Sequence, residues 1–415
     1  MADYPHINLS RLQDDLTDLF QIGYNPDTRG VTRLGFTDTD MQARHWLLER
    51  CSEAGLHAEM DGAGNVVCRI DKAPANKVVA TGSHIDSVID GGMFDGTLGV
   101  LAGIECLRVI KEQGLTLEHP LEVYAFAEEE GRFGGMMGVQ ALIGDITPQW
   151  LMSAHDVNNV YLHEEMRRCG FEPMDALKVN KEPGYFHAYI ELHIEQGPVL
   201  EKQGASIGVV ESISGVFKWI VRLIGKSNHA GTAPMDLRSD AFMGLADFAH
   251  EIPRIIDEEG TDKTRLTVGK VELKPGQAHT VPGEAEFTLV GRDVDNDVMK
   301  AVADACRRVC SAIARKHNLM FEFEQMSWLD PQPMHPTLID SIAQRAKDSG
   351  CEYLVMPSGA GHDAQHMARV TRAGMIFVPS VGGISHAPDE WTHWQDIERG
   401  ANLLLHSLLH EAIIK

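Results

Sequence analysis

Histidines and carboxylates recur beside glycines at four places in this 415-residue chain. The first is Gly82-Ser-His84-Ile-Asp86-Ser, followed by Asp95 in Phe94-Asp95-Gly96; the second is the run Glu128-Glu129-Glu130-Gly131. His193 with Glu195-Gln196-Gly197 is the third, and Ser385-His386-Ala-Pro the fourth. Taken singly, each has an ordinary reading: acidic runs are usually solvated faces, and Asp and Gly residues serve turns. Taken together they supply three histidines and several carboxylates. Gathered in one crevice, that is the inventory of a two-metal site whose N and O ligands suit zinc, manganese or similar ions. Asp86 is placed to orient the ring of His84 as a carboxylate behind a metal ligand.

Such clusters converge only if strands deliver them to one edge of a sheet. The apolar run Lys77-Val-Val-Ala-Thr reads as a buried strand leading into His84, and residues 98–110 read as the helix after Asp95. Residues 121–127 form a strand that runs into the three glutamates, and residues 186–197 read as another strand ending in the polar cluster of His193, Glu195 and Gln196. Helical spacing marks residues 8–22 and 38–55, and strand character marks 64–70 and 375–378. Helices follow near 336–349 and 395–413, while 145–182 gives no clear element. Alternating strands and helices predict an α/β fold with a mixed, largely parallel sheet flanked by helices, and ligands bind at the carboxyl edge of such sheets.

Between 217 and 325 the rhythm changes. Strands at 217–224, 265–273, 284–292 and 319–325, with helices at 236–259 and 295–317, follow the β-α-β-β-α-β order of ferredoxin-like modules. This predicts a discontinuous catalytic domain, 1–212 with 326–415, and an inserted domain, 213–325. A net charge of −23 argues against nucleic acid or an anionic membrane as partner, because both require a basic face. Seven cysteines form no CxxC pair, which suits reduced thiols in the cytoplasm; Cys306 and Cys310, one helical turn apart, read as packing. The amino-terminal residues lack the basic and apolar regions of a signal peptide, and no apolar run is of membrane-spanning length.

The combined motifs resemble the dinuclear metallopeptidase and amidase clan, and within it the N-carbamoyl-L-amino-acid hydrolases and allantoate amidohydrolases. The resemblance spans residues 10–412 and is carried by the four clusters with Glu191-Leu-His193-Ile-Glu-Gln196-Gly, Asn228-His229-Ala-Gly-Thr and Ser358-Gly-Ala-Gly-His362-Asp-Ala. It implies two divalent ions per subunit (Mn2+, Zn2+, Co2+ or Ni2+) bridged by Asp95. His84 and His193 would complete one ion, Glu130 and His386 the other, with Glu129 as general base. It further implies that His229 polarises the scissile carbonyl across a homodimer formed through the inserted domain, which serves as lid and dimerisation surface. Gln196, Arg292 and the Gly359-Ala360 backbone would hold a small carboxylate substrate, with Arg292 on the carboxylate.

The residue types suit those roles. A carboxylate that binds no metal, beside one that does, can take a proton from water and pass it to a leaving nitrogen. Adjacent residues of a continuing strand point to opposite sides, so Glu129 and Glu130 divide the work only if the strand turns there, as Gly131 permits. The Arg292 guanidinium matches a carboxylate in two parallel hydrogen bonds. Arg292 ends a strand that follows the His279 loop, so both are expected to face one space. The chain departs from the resemblance twice. His279 stands where an Asn is usual before Val-Pro, and one residue is missing between Gly131 and Arg132. Both departures bear on the substrate rather than the metals. The expected reaction is hydrolysis of the carbamoyl C–N bond of an N-carbamoyl-L-amino acid to amino acid, carbon dioxide and ammonia. Allantoate hydrolysis is the alternative reaction, and a metal-free binding protein of the same fold the alternative class.

Overall fold

The computed structural model describes residues 5–70 and 77–412. The first four residues and residue 413, to which the signal-peptide and last-helix expectations extend, lie outside the described residues. Among the described residues, fifteen strands run in chain order as β1 (His57–Met60), β2 (Val66–Arg69), β3 (Val78–His84), β4 (Leu121–Phe126), β5 (Phe186–Ile194), β6 (Ile207–Ile213), β7 (Gly215–Ile224), β8 (Asn228–His229), β9 (Arg265–Lys274), β10 (Thr280–Val281), β11 (Glu284–Asp293), β12 (Met320–Leu329), β13 (Gln332–Pro333), β14 (Tyr353–Ser358) and β15 (Arg372–Val378). The chain divides into two compact units, residues 1–211 with 334–415 and residues 212–333.

The first unit is built on a mixed sheet ordered β1-β2-β4-β3-β5-β15-β6, with β14 also on β6. Its four central strands, β4, β3, β5 and β15, are mutually parallel, whereas β1, β2 and β6 join antiparallel. Every residue of β3 and β4 is buried, the burial expected of parallel strands covered on both faces. The sequence gives those strands the near-continuous apolar character that such burial requires. Because the four run the same way, they end at a single edge, at His84, Phe126, Ile194 and Val378. The helix Thr97–Glu112 is buried over almost its whole length, which explains why its apolar residues surround it instead of forming one stripe.

Several elements went unread in the sequence. Strands β1, β6 and β14 are short or lie outside the central parallel set. Residues 145–182 fold into two short helices, Pro148–Ser153 and Leu162–Arg168, and a 3-10 turn, Pro173–Lys178. They pack Leu151, Leu162 and Met166 with Phe36, Phe133 and Met137 into a separate core. No six- or seven-residue helix displays enough turns for periodicity to identify it.

The second unit has a four-stranded antiparallel sheet in the order β12-β7-β11-β9 and two long helices, Ala241–Glu259 and Asn296–His317. This is the ferredoxin-like order. Burial alternates strictly along β11, and Phe217, Trp219, Val221 and Leu223 of β7 join Phe248, Phe287 and Leu289 in one core. One face of the sheet is therefore covered and the other carries residues such as Lys218 and Arg222. Strand β12 runs to Leu329, four residues past the predicted end, because β7 continues beside it to Val216. Cys306 and Cys310 are buried in this core, and all seven cysteines are free thiols. Among the described residues, no helix is long and apolar enough to cross a membrane.

Candidate metal centre

The carboxyl edge of the parallel strands gathers His84, Asp95, Glu129, Glu130, His193 and His386. Asp95 lies at the middle with its two oxygens facing different partners. Its Oδ1 is 3.2 Å from His193 Nε2 and 3.7 Å from His84 Nε2. Its Oδ2 is 3.0 Å from His386 Nε2, and Glu130 Oε2 is 3.4 Å from that same nitrogen. Two donor groups result, His84–Asp95–His193 and Asp95–Glu130–His386, each compact enough to surround one ion. Glu129 belongs to neither, although its Oε2 lies 3.5 Å from His84 Nε2.

Backbone carbonyls fix the imidazole tautomers. His84 Nδ1 lies 3.0 Å from the Asp86 carbonyl oxygen, and His193 Nδ1 2.9 Å from that of Ile194. A carbonyl only accepts, so both Nδ1 atoms carry hydrogen and both Nε2 atoms can offer a lone pair to a metal. Asp86 thus orients His84 through its main chain, not through the carboxylate the sequence suggested. That carboxylate is occupied elsewhere, accepting the N–H groups of Glu129 at 3.3 Å and Glu130 at 3.1 Å. The strand break that lets the two glutamates diverge comes at Glu128, whose φ is 56°, three residues earlier than Gly131.

The donor set fits divalent cations. Burial, then the neighbouring carboxyls of Asp363 and Glu130, pushes Glu129 well above the usual carboxylate range. Burial and Asp95 push Glu130 up to about 8. Both oxygens of Asp363 are themselves buried without a hydrogen-bond partner among the described residues. A cation placed among these groups would relieve the repulsion that burial intensifies. A third cluster, Glu191–His193–His362, is scaffold: Glu191 already accepts from Ser83 Oγ at 2.9 Å, Ala364 N–H at 2.8 Å and Tyr189 O–H at 3.2 Å.

Gln196 reaches the same place, its Nε2 donating to Asp95 Oδ2 at 2.9 Å, while its Oε1 is buried without a partner among the described residues. Gly359 and Ala360 follow β14; the Ala360 N–H donates to Ser358 Oγ, which is 2.8 Å from His362 Nε2, and the His362 ring packs edge-on against His193. Sequence reasoning missed Glu390, which accepts from the Phe94 and Asp95 N–H groups at 2.9 and 3.1 Å and from Ser385 Oγ at 2.9 Å. It missed Arg33 as well, a buried guanidinium that donates to the carbonyls of Ile85, Leu19 and Ile22 behind the His84 loop. Neither sits in a motif. Only the fold brings them there.

In the second unit, His229 and His279 share a small ribbon in which Thr280 pairs with His229. Both are exposed. Gly231 N–H donates to His229 Nδ1 at 3.1 Å, which leaves the hydrogen of the neutral ring on Nε2, the tautomer able to donate to an oxyanion. Arg292 lies elsewhere. It pairs with Val216 at the far end of β11, eight residues beyond Glu284. At the rise of an extended strand that is about 27 Å. The register thus sets Arg292 at the end of β11 opposite the ribbon that carries His229 and His279.

Gly96 tests how tightly the centre is built. Its φ is 66°, and a Cβ there would lie 2.4 Å from His84 Nε2. Gly96→Ala is expected to weaken metal binding by roughly 10–100-fold, the scale on which displaced ligand supports act. Titration of the metal-free variant checks this; parental affinity would mean the loop yields freely.

Strands thus deliver histidines and buried carboxylates to one sheet edge, a donor set that fits divalent cations. The sequence profile of peptidase family M20/M25/M40 matches residues 80–410, and the chain belongs to this family. It is 36% identical over 398 residues to the N-carbamoyl-L-amino-acid amidohydrolase of Paenarthrobacter aurescens, covering 95% of this chain and 96% of that one. The allantoate amidohydrolase of Escherichia coli (strain K12) is 34% identical over 398 residues, covering 95% of each. A hydantoinase/carbamoylase family amidase from Burkholderia multivorans superposes with a TM-score of 0.91 at 35% identity over 99% of both chains. The protein is accordingly an amidohydrolase of the M20 type, acting on amide C–N bonds, in a family whose enzymes are typically metal-dependent.

Proposed function

We propose that this protein hydrolyses the carbamoyl C–N bond of N-carbamoyl-L-amino acids, releasing amino acid, carbon dioxide and ammonia. The observation that carries the reading is the Asp95 carboxylate, with one oxygen toward His84 and His193 and the other toward His386 and Glu130. His84, His193, Glu130, His386 and the shared Asp95 would hold two divalent ions. When bound, such ions make water acidic near neutrality and stabilise negative charge on the attacked carbonyl oxygen. Glu129, outside both ligand groups, takes the proton of the attacking water and hands it to the departing nitrogen. His229 donates its Nε2 hydrogen to the developing oxyanion, and Gln196 and the Gly359-Ala360 backbone hold the polar end of the substrate.

A panel of N-carbamoyl, N-formyl and N-acetyl amino acids, allantoate and dipeptides, scored by ammonia and amine release, tests the substrate. Similarity to the E. coli allantoate amidohydrolase makes allantoate the competing outcome. If allantoate exceeded every carbamoyl amino acid in kcat/KM, the reading would move to it.

A homodimer through the second unit, whose β9 and β12 edges are open, completes the site. The separation of Arg292 from His229 and His279 along β11 supports two copies contributing to each site. An equal mixture of His229→Ala and Arg292→Ala subunits, exchanged and reassembled, should then regain about a quarter of wild-type activity, since half the dimers carry one intact site. No recovery in verified mixed dimers would mean that each site takes both residues from one subunit.

A further inference from the structure

We propose that Glu128 is a positioning residue, setting the backbone from which Glu129 acts; the inference rests on the role proposed for that glutamate. Strand β4 stops at Phe126, and Glu128 turns the chain with a left-handed φ of 56°, unusual for a side chain of its size. Its carboxyl is buried and accepts two main-chain donors from the loop beyond, Phe133 N–H at 2.5 Å and Gly135 N–H at 3.2 Å. The main chain closes on the same turn. Met136 N–H donates to the Glu129 carbonyl at 3.1 Å, and Met137 N–H to that of Glu128 at 3.2 Å.

Glu129 is thus fixed from both sides, its N–H on the Asp86 carboxylate and its C=O on Met136. The loop that carries the second anchor contains Gly131, Gly134 and Gly135, all at positive φ. Glycines leave such a segment free to adopt other conformations unless something holds it. The Glu128 carboxylate does so at two points within that segment. Space for it is built in: a Cβ on Gly35 would lie 2.6 Å from Glu128 Cγ. Neither sequence motif nor ligand geometry gives Glu128 a place on the reacting atoms, and its side chain faces the loop.

Removing both acceptors frees the Glu129 carboxyl to drift, and displacement by about 1 Å is enough to cost on the order of 10²-fold in rate. Glu128→Ala is expected to lower kcat by about that factor, and Glu128→Gln, which keeps one acceptor but sets an NH2 against an N–H, by roughly tenfold. KM should stay within about twofold of the parent in both variants. The metal-to-protein ratio after gel filtration should stay at the parental value. Steady-state kinetics on the best substrate of the panel, with metal analysis of the same samples, decides. Parental kcat in a folded Glu128→Ala, or a loss that excess manganese restores, would overturn the proposal; should Glu128→Ala not fold, Glu128→Gln decides by the same criteria. Glu129→Gln measured in parallel separates the two failures. If it is crippled while the Glu128 variants are normal, only this inference falls; if it is fully active, the reading of Glu129 falls first.

Discussion

Glu129→Gln is expected to lower kcat by about 10²–10⁴ while leaving the metal in place, the usual result of removing a proton carrier that is not a ligand. The neighbouring substitution Glu130→Gln should instead lower metal occupancy. The geometry behind this contrast is specific. Glu130 Oε2 shares His386 Nε2 with Asp95 and completes a compact donor group, whereas Glu129 joins no such group among the described residues. Burial and acidic neighbours hold Glu129, like Glu130, above the ordinary carboxylate range. Metal content by mass spectrometry and kcat on the same preparations check both variants. Loss of metal in Glu129→Gln with retention in Glu130→Gln would exchange the two roles.

Arg292→Ala is expected to weaken productive binding of carboxylate substrates by roughly 2–5 kcal/mol, the cost of leaving one buried charge without its partner. An amide-blocked analogue, already a poor substrate, should change little. Arg292 is partly buried at the Asp293 end of β11, and that burial lowers its pKa from the ordinary value. His279→Asn should give a milder change of a different kind, because His279 occupies the ribbon at the other end of that strand. Comparison of kcat/KM for the charged and blocked analogues in each variant is the measurement. Equal losses for both analogues in Arg292→Ala would make Arg292 structural.

The residues of the candidate metal centre stood out in the sequence because metal chemistry restricts residue types. His84, Asp95, Glu130, His193 and His386 each lie at or just after a strand end or sit in a glycine-bounded loop, and parallel strands must bring such positions to one edge. The contrast between the two kinds of strand was legible for a similar reason: burial of one face imposes a period of two on β7 and β11, while the parallel strands β3 and β4, buried on both faces, show no such alternation. These are local consequences of covering one face or two.

What tertiary structure alone decided is how those residues are held and how far apart the others lie. Asp86 was placed correctly in the sequence, but which of its oxygens meets His84 depends on the exit angle of β3, which no pattern encodes. Glu390 is 295 residues from Asp95 in sequence, yet it fixes the N–H of that residue. Residues 145–182 lacked any readable period because their helices span only one or two turns and gain stability from a shared core instead of their own hydrogen bonds. His279 and Arg292 read as neighbours because 13 residues separate them in the chain. Most of that interval is one extended strand, and extension converts a short distance in sequence into a long one in space.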